Sequence, residues 1–128
     1  MSTTKNYTER IEKGARLAFD CAEEMKANDI DHYIMTEEPK FADHVIVLTI
    51  HSPRQMRAVS EEIKNSLKKI QLPLHHEEGD RNSGWGLLDY GDLIIHMFAG
   101  EFREFYAIES ILINKGDRIR FMANDTIQ

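Results

Sequence analysis

Two carboxylates, Asp89 and Asp92, bracket a Tyr90-Gly91 pair inside the densest apolar run of the chain, "WGLLDYGDLIIHMF", Trp85 to Phe98. Close carboxylates between strand-like segments can hold a metal ion and drive phosphoryl or nucleotidyl transfer. That chemistry needs both side chains on one face, as when they stand one residue apart on a strand. Asp89 and Asp92 are three positions apart across a glycine turn, so a shared face is not assured. A small Gly/Ser-rich turn should also precede the following helix to admit a phosphate. This chain has the bulky Ile50 and His51 before its second helix, and capping by Ser52 explains the site without a ligand. The favoured reading is a turn that shapes a surface for another protein. A nucleotide- and metal-dependent enzyme is the alternative.

Other reactive side chains give less. His75 and His76 are adjacent, and adjacent strand residues point to opposite faces. No Cys/His or His/carboxylate spacing matches a zinc pattern; a site assembled through the fold from His44, His51 and His96 is conceivable, but structural histidines are the simpler reading. Cys21, the only cysteine, lies in a helical stripe with no obvious base and reads as filler. It can form no internal disulfide, which fits a reducing, cytoplasmic setting. No Gly-rich phosphate loop appears. No cofactor, no metal and no catalytic residue is expected.

Charge narrows the partners. Acids outnumber bases 22 to 16, for a net charge of -6. Gripping nucleic acid by its phosphates needs a basic surface, because counterion release supplies most of that affinity. The one basic cluster, Lys64, Lys68 and Lys69, sits at helical spacing among apolar residues and reads as a solvated helix face. If the chain meets a nucleoprotein, it docks on the protein part. No apolar stretch approaches a membrane span, and the N-terminus has no apolar signal core.

Elements must position these residues. Ile11, Ala15, Ala18, Ala22 and Met25 form an apolar stripe in a helix from about Thr8 to Asn28. "IDHYIM", Ile30 to Met35, reads as a strand, followed by a polar loop through Pro39. "HVIVLTI", His44 to Ile50, is β-branched without polar alternation and should be buried on both faces. It leads into a helix with Ser52 at the N-cap and Pro53 at the first turn; Gln55 is placed to return a bond to the Ser52 amide. Met56, Val59, Ile63, Leu67 and Ile70 form its inner stripe. After "LPLHHEE" and the loop "GDRNSG", Trp85–Asp89 and Asp92–Phe98 read as a hairpin turning at Gly91. A third helix covers about Glu101 to Leu112, with Phe102, Phe105, Ile108 and Leu112 inward. The order α-β-β-α-β-β-β-α indicates an α/β (α+β) fold, a mixed sheet of about five strands with helices packed on it. Residues 1–113 form a single domain, and 114–128 a polar tail, loosely held.

"ADHVIVLTIHSPRQMRAVSEEI" and "GWGLLDYGDLIIHMFAGEFREFYAIESI" strongly resemble the ribosomal silencing factor (RsfS, Iojap-like) family. The resemblance covers about Ile11 to Leu112, with Trp85, Asp89, Gly91, Asp92, His96, Arg103 and Tyr106 in register. The family usually has Gly and Ser where this chain has Ile50 and Pro53, and an aromatic at His44 and Val45; the "DRNSG" loop is longer than usual. The resemblance implies a nucleotidyltransferase-like fold lacking catalytic residues. It also implies a translational repressor that binds ribosomal protein fourteen of the large ribosomal subunit and blocks small-subunit joining when nutrients are scarce. Little direct rRNA contact is expected, and a homodimer off the ribosome stays open. Expected partner-binding residues are Trp85, Asp89, Tyr90, Asp92, His96, Phe98, Arg103 and Tyr106. For Trp85 the residue types alone leave core and interface about equally favoured.

Overall fold

A computed structural model describes residues 3–38, 40, 42–80, 82, 84–101, 103 and 116–119, excepting the side chains of 3–5 and 116–119. The elements run α1 (Thr3–Glu24), β1 (Asn28–Met35), β2 (His44–Ile50), α2 (Pro53–Lys69), β3 (His76–Asp80), β4 (Trp85–Asp89), β5 (Leu93–Ala99) and β6 (Gly116–Ile119). Among the described residues the strands form one sheet in the order β3-β4-β5-β2-β1-β6. β2 and β5 pair in parallel and every other neighbouring pair is antiparallel. The expected mixed sheet with helices packed on it is therefore observed. β6 adds a strand that the sequence did not suggest: it pairs with β1, Met35 opposite Gly116, inside the segment read as a loose tail. Four residues lying on a sheet edge carry almost no apolar signal, which is why 114–128 reads as a polar tail.

Both helices form on the expected apolar stripes, but α1 starts at Thr3 and stops at Glu24, and Asn28, the expected helix end, already begins β1. Ile11, Ala15, Ala18 and Ala22 of α1 are buried, as are Met56, Val59, Ile63 and Leu67 of α2; Met25 and Ile70 are partly buried at the helix ends. Both stripes pack on one face of the sheet against Ile46, Leu48, Leu88, Leu93 and Ile95. Small residues let α1 lie close: a Cβ on Gly14 would meet Leu72 Cδ2 at 2.7 Å. β2 is buried at all seven positions, as its continuous apolar run requires.

Helix ends follow local chemistry. Ser52 caps α2, its Oγ accepting the Gln55 amide at 3.0 Å, with Pro53 in the first turn. The Gln55 side chain accepts the His51 amide at 2.6 Å, one residue before the expected Ser52. Each helix then closes on a residue of positive φ, Lys26 at 71° and Gln71 at 61°. Ala27 donates back to Ala22 and Leu72 to Leu67, the six-to-one bond of a Schellman motif. Gly100, Glu101 and Arg103 are helical and begin the expected third helix; Phe102, Phe105, Ile108 and Leu112 lie outside the described residues.

Candidate partner-binding face

β4 and β5 form the predicted hairpin, Asp89 pairing with Ile94 and Trp85 with Phe98. The turn is held from within. Gly91 has φ +91°, and the Asp89 carboxylate accepts its amide at 2.8 Å. Asp92 is used differently: its Oδ2 accepts the Tyr7 hydroxyl at 2.9 Å, and its carbonyl accepts the amides of Asp43 and His44. One carboxylate closes the turn and the other ties it to α1 and to the start of β2. No group of three or more His, Cys, Asp or Glu among the described residues is placed to hold a metal.

Strand alternation decides which side chains share a surface. Gly86, Leu88 and Tyr90 turn toward the helices, so Trp85, Leu87 and Asp89 take the opposite face. Register brings Ile94, His96 and Phe98 of β5 to that same face, beside Val45, Val47 and Thr49 of β2. One row across the sheet reads Leu87, His96, Val47, Asp31, and the next reads Trp85, Phe98, Thr49. Toward β1 and β2 the face is closed, with Tyr33, Val45 and Val47 at 0% exposure. Toward β4 it is half open, at Trp85, Leu87, Asp89, Ile94 and His96. Trp85 and Ile94 rest on the small cluster of Tyr33, Met35, Ala42, Val45, Val47 and Phe98. Trp85 is thus neither a fully buried core residue nor a free surface ring.

The sheet brings four of the eight expected residues, Trp85, Asp89, His96 and Phe98, to this face, though Phe98 is 1% exposed and supports the others from beneath. Tyr90 does not join them. It is 1% exposed under the helices, and burial pushes its hydroxyl up to about 12, with Glu77 adding to the rise. Arg103 is held inside the chain, bonding Asp31 Oδ2 at 2.7 Å, Thr49 Oγ1 at 3.0 Å and the Asp29 carbonyl. Its side chain is 10% exposed and that of Asp31 4%, so it clamps the start of the third helix to β1 and β2. Tyr106 lies outside the described residues. Sequence reasoning missed Leu87 and Ile94: alternation outward from the buried Leu88 finds Leu87, but the inward parity changes across the turn, so Ile94 needed the register.

The histidines do not converge. His44 faces the helices and bonds His32, Nδ1 to Nε2 at 2.8 Å, while His96 lies on the open face and His51 bonds the Asn28 side chain. Burial holds all three sheet imidazoles neutral. It takes His32 down to about 3, with His44 and Arg16 adding to the shift, lowers His44, and takes His96 down to about 4. The His96 ring stacks on Phe98 at 5.9 Å, and its Nδ1 is buried with no hydrogen-bond partner among the described residues.

The chain as a whole is similar to known proteins. A family profile described as "Ribosomal silencing factor during starvation" matches residues 8–126. A Chromobacterium violaceum protein named ribosomal silencing factor RsfS is 28% identical over 101 residues, covering 79% of this chain and 83% of its own. A Haemophilus influenzae protein of the same name is 29% identical over 87 residues, covering 68% and 85%. The chloroplastic Iojap protein of Zea mays is 31% identical over 93 residues, which are 73% of this chain and 40% of that protein. Among solved structures, one from Chromobacterium violaceum superposes with a TM-score of 0.75 at 26% identity, covering 90% of this chain and 94% of that one.

Proposed function

Because the chain belongs to the ribosomal silencing factor family, we propose that it represses translation by docking on ribosomal protein fourteen of the large subunit and blocking small-subunit joining. The observation that carries this reading is the half-open face of β4 and β5. There Trp85, Leu87, Ile94 and His96 form an apolar surface with Asp89 in the same layer. An aromatic anchor among aliphatic side chains, edged by charge, is the composition of an interface centre. The net charge of -6 favours a basic ribosomal protein over rRNA as the landing point. The repression is steric, with no catalytic step, and its setting is cytoplasmic.

Sedimentation tests it. The protein should travel with isolated large subunits, be scarce on joined ribosomes, and lower the yield of joined ribosomes when subunits are mixed. Equal abundance on joined ribosomes rules out the steric mechanism. In the same assay Trp85→Ala should reduce large-subunit binding by about 2 kcal/mol, the scale of an aromatic hot spot.

A further inference from the structure

β3 ends the sheet. Its inner side pairs with β4, and its outer side pairs with no described strand. All five of its residues, His76 to Asp80, are exposed. An open edge of this kind is a template for a further strand, and side chains decide which strand it accepts. Glu77 and Glu78 stand in its middle and Asp80 at its end. Gly79 has φ +129° and lies against the β4 backbone, where a Cβ would come within 2.4 Å of the Trp85 carbonyl oxygen. The regular part of the edge is therefore His76 to Glu78.

A second copy of this chain is a poor occupant. Antiparallel self-pairing centred on Glu77, on Glu78 or between them sets carboxylate against carboxylate, and like charges directly opposite destabilise a ladder. A cationic strand meets the reverse situation. Glu77 is reached by Lys64 at 3.1 Å from the helix side. Glu78 points to the other face, with His76 as its near neighbour at 2.5 Å. The chain as a whole is acidic, so the long-range field favours the same occupant.

We propose that the outer edge of β3 accepts an extended, basic segment of a partner protein by strand addition. The β3 backbone supplies the hydrogen bonds, and Glu78 matches a lysine or arginine of the incoming strand. Glu78 and Asp80 lie beside Leu87 and Trp85 on the same face, but the bonds of strand addition form in the plane of the sheet along the outer edge of β3, so this contact goes beyond the docking already described.

The test uses the full chain, isotope-labelled, with a capped peptide of alternating lysine and valine as probe and its glutamate–valine counterpart as control. Amide-proton exchange within His76–Glu78 should slow by about tenfold with the basic probe, as freely exchanging edge amides become bonded. The acidic probe should leave it unchanged, and Glu78→Lys should remove the effect without shifting the urea midpoint. No slowing with the basic probe overturns the proposal. So does equal slowing by both probes, an undiminished effect in Glu78→Lys, or a response confined to the Trp85–Leu87 face.

Discussion

At the scale of single residues, Asp92 and Trp85 each make a contact within the fold that has to be told apart from the proposed contact with a partner. Asp92 accepts the Tyr7 hydroxyl, so Asp92→Ala and Tyr7→Phe should each cost about 1 kcal/mol in urea unfolding, the worth of one hydrogen bond. Large-subunit affinity separates the roles: a loss in Asp92→Ala that Tyr7→Phe does not share assigns the carboxylate to the partner. Isothermal titration of the wild type with Mg²⁺ should give no specific heat, since Asp89 and Asp92 are committed to a turn amide and to Tyr7. Trp85 rests half-buried on Phe98 and its neighbours. Trp85→Ala should therefore destabilise the domain by less than the about 3–5 kcal/mol of a fully buried aromatic. A mutant that melts early yet binds normally while folded would move the interface elsewhere.

At the scale of elements, the Arg103–Asp31 pair is a long-range tie. With its carboxylate 4% exposed, Arg103→Leu takes the guanidinium from a buried charge and should cost about 3–5 kcal/mol. Arg103→Leu combined with Asp31→Leu should recover most of that loss; a double mutant no better than the single would show that the pair is not the clamp. Helix ends give a second prediction. Gln71 holds φ 61°, a conformation that strains a side chain but not glycine, so Gln71→Gly should raise stability by up to about 1 kcal/mol. α1, β2, α2 and the hairpin were legible because each buries a whole stripe or strand, and burial writes a period into the sequence. β3 has no buried residue and β6 is a polar edge, so neither left such a period. The Arg103 clamp was illegible for another reason: its acid lies 72 positions away, and Arg103 followed by Tyr106 reads equally well as a pair of binding residues. The candidate face was half legible, since its residues were named from type and resemblance, while their separation from Tyr90 needed the register.

At the scale of the molecule, burial makes the domain acid-sensitive. His32, His44 and His96 are held neutral, with pKa values pushed down, whereas unfolded imidazoles titrate near about 6.5. Above that pH both states are neutral and stability is full. As pH falls below it, the unfolded chain binds protons that the fold refuses, so stability declines toward the folded values near 3 and 4. The urea midpoint should therefore drop between about pH 7 and about pH 4.5, and His96→Phe should flatten that slope. An unchanged slope would show that His96 takes up its proton equally easily in the fold. The parallel pairing of β2 with β5 bears on how such a molecule is made. Every partner of β2 in that ladder lies roughly fifty residues later in the chain, so the central contact has high contact order and forms slowly. During synthesis "HVIVLTI" leaves the ribosome long before Leu93–Ala99 exists to shield it. For that interval the nascent chain carries a β-branched, uncharged segment of the kind that aggregates. A member of the ribosomal silencing factor family is thus itself most vulnerable while still attached to a ribosome.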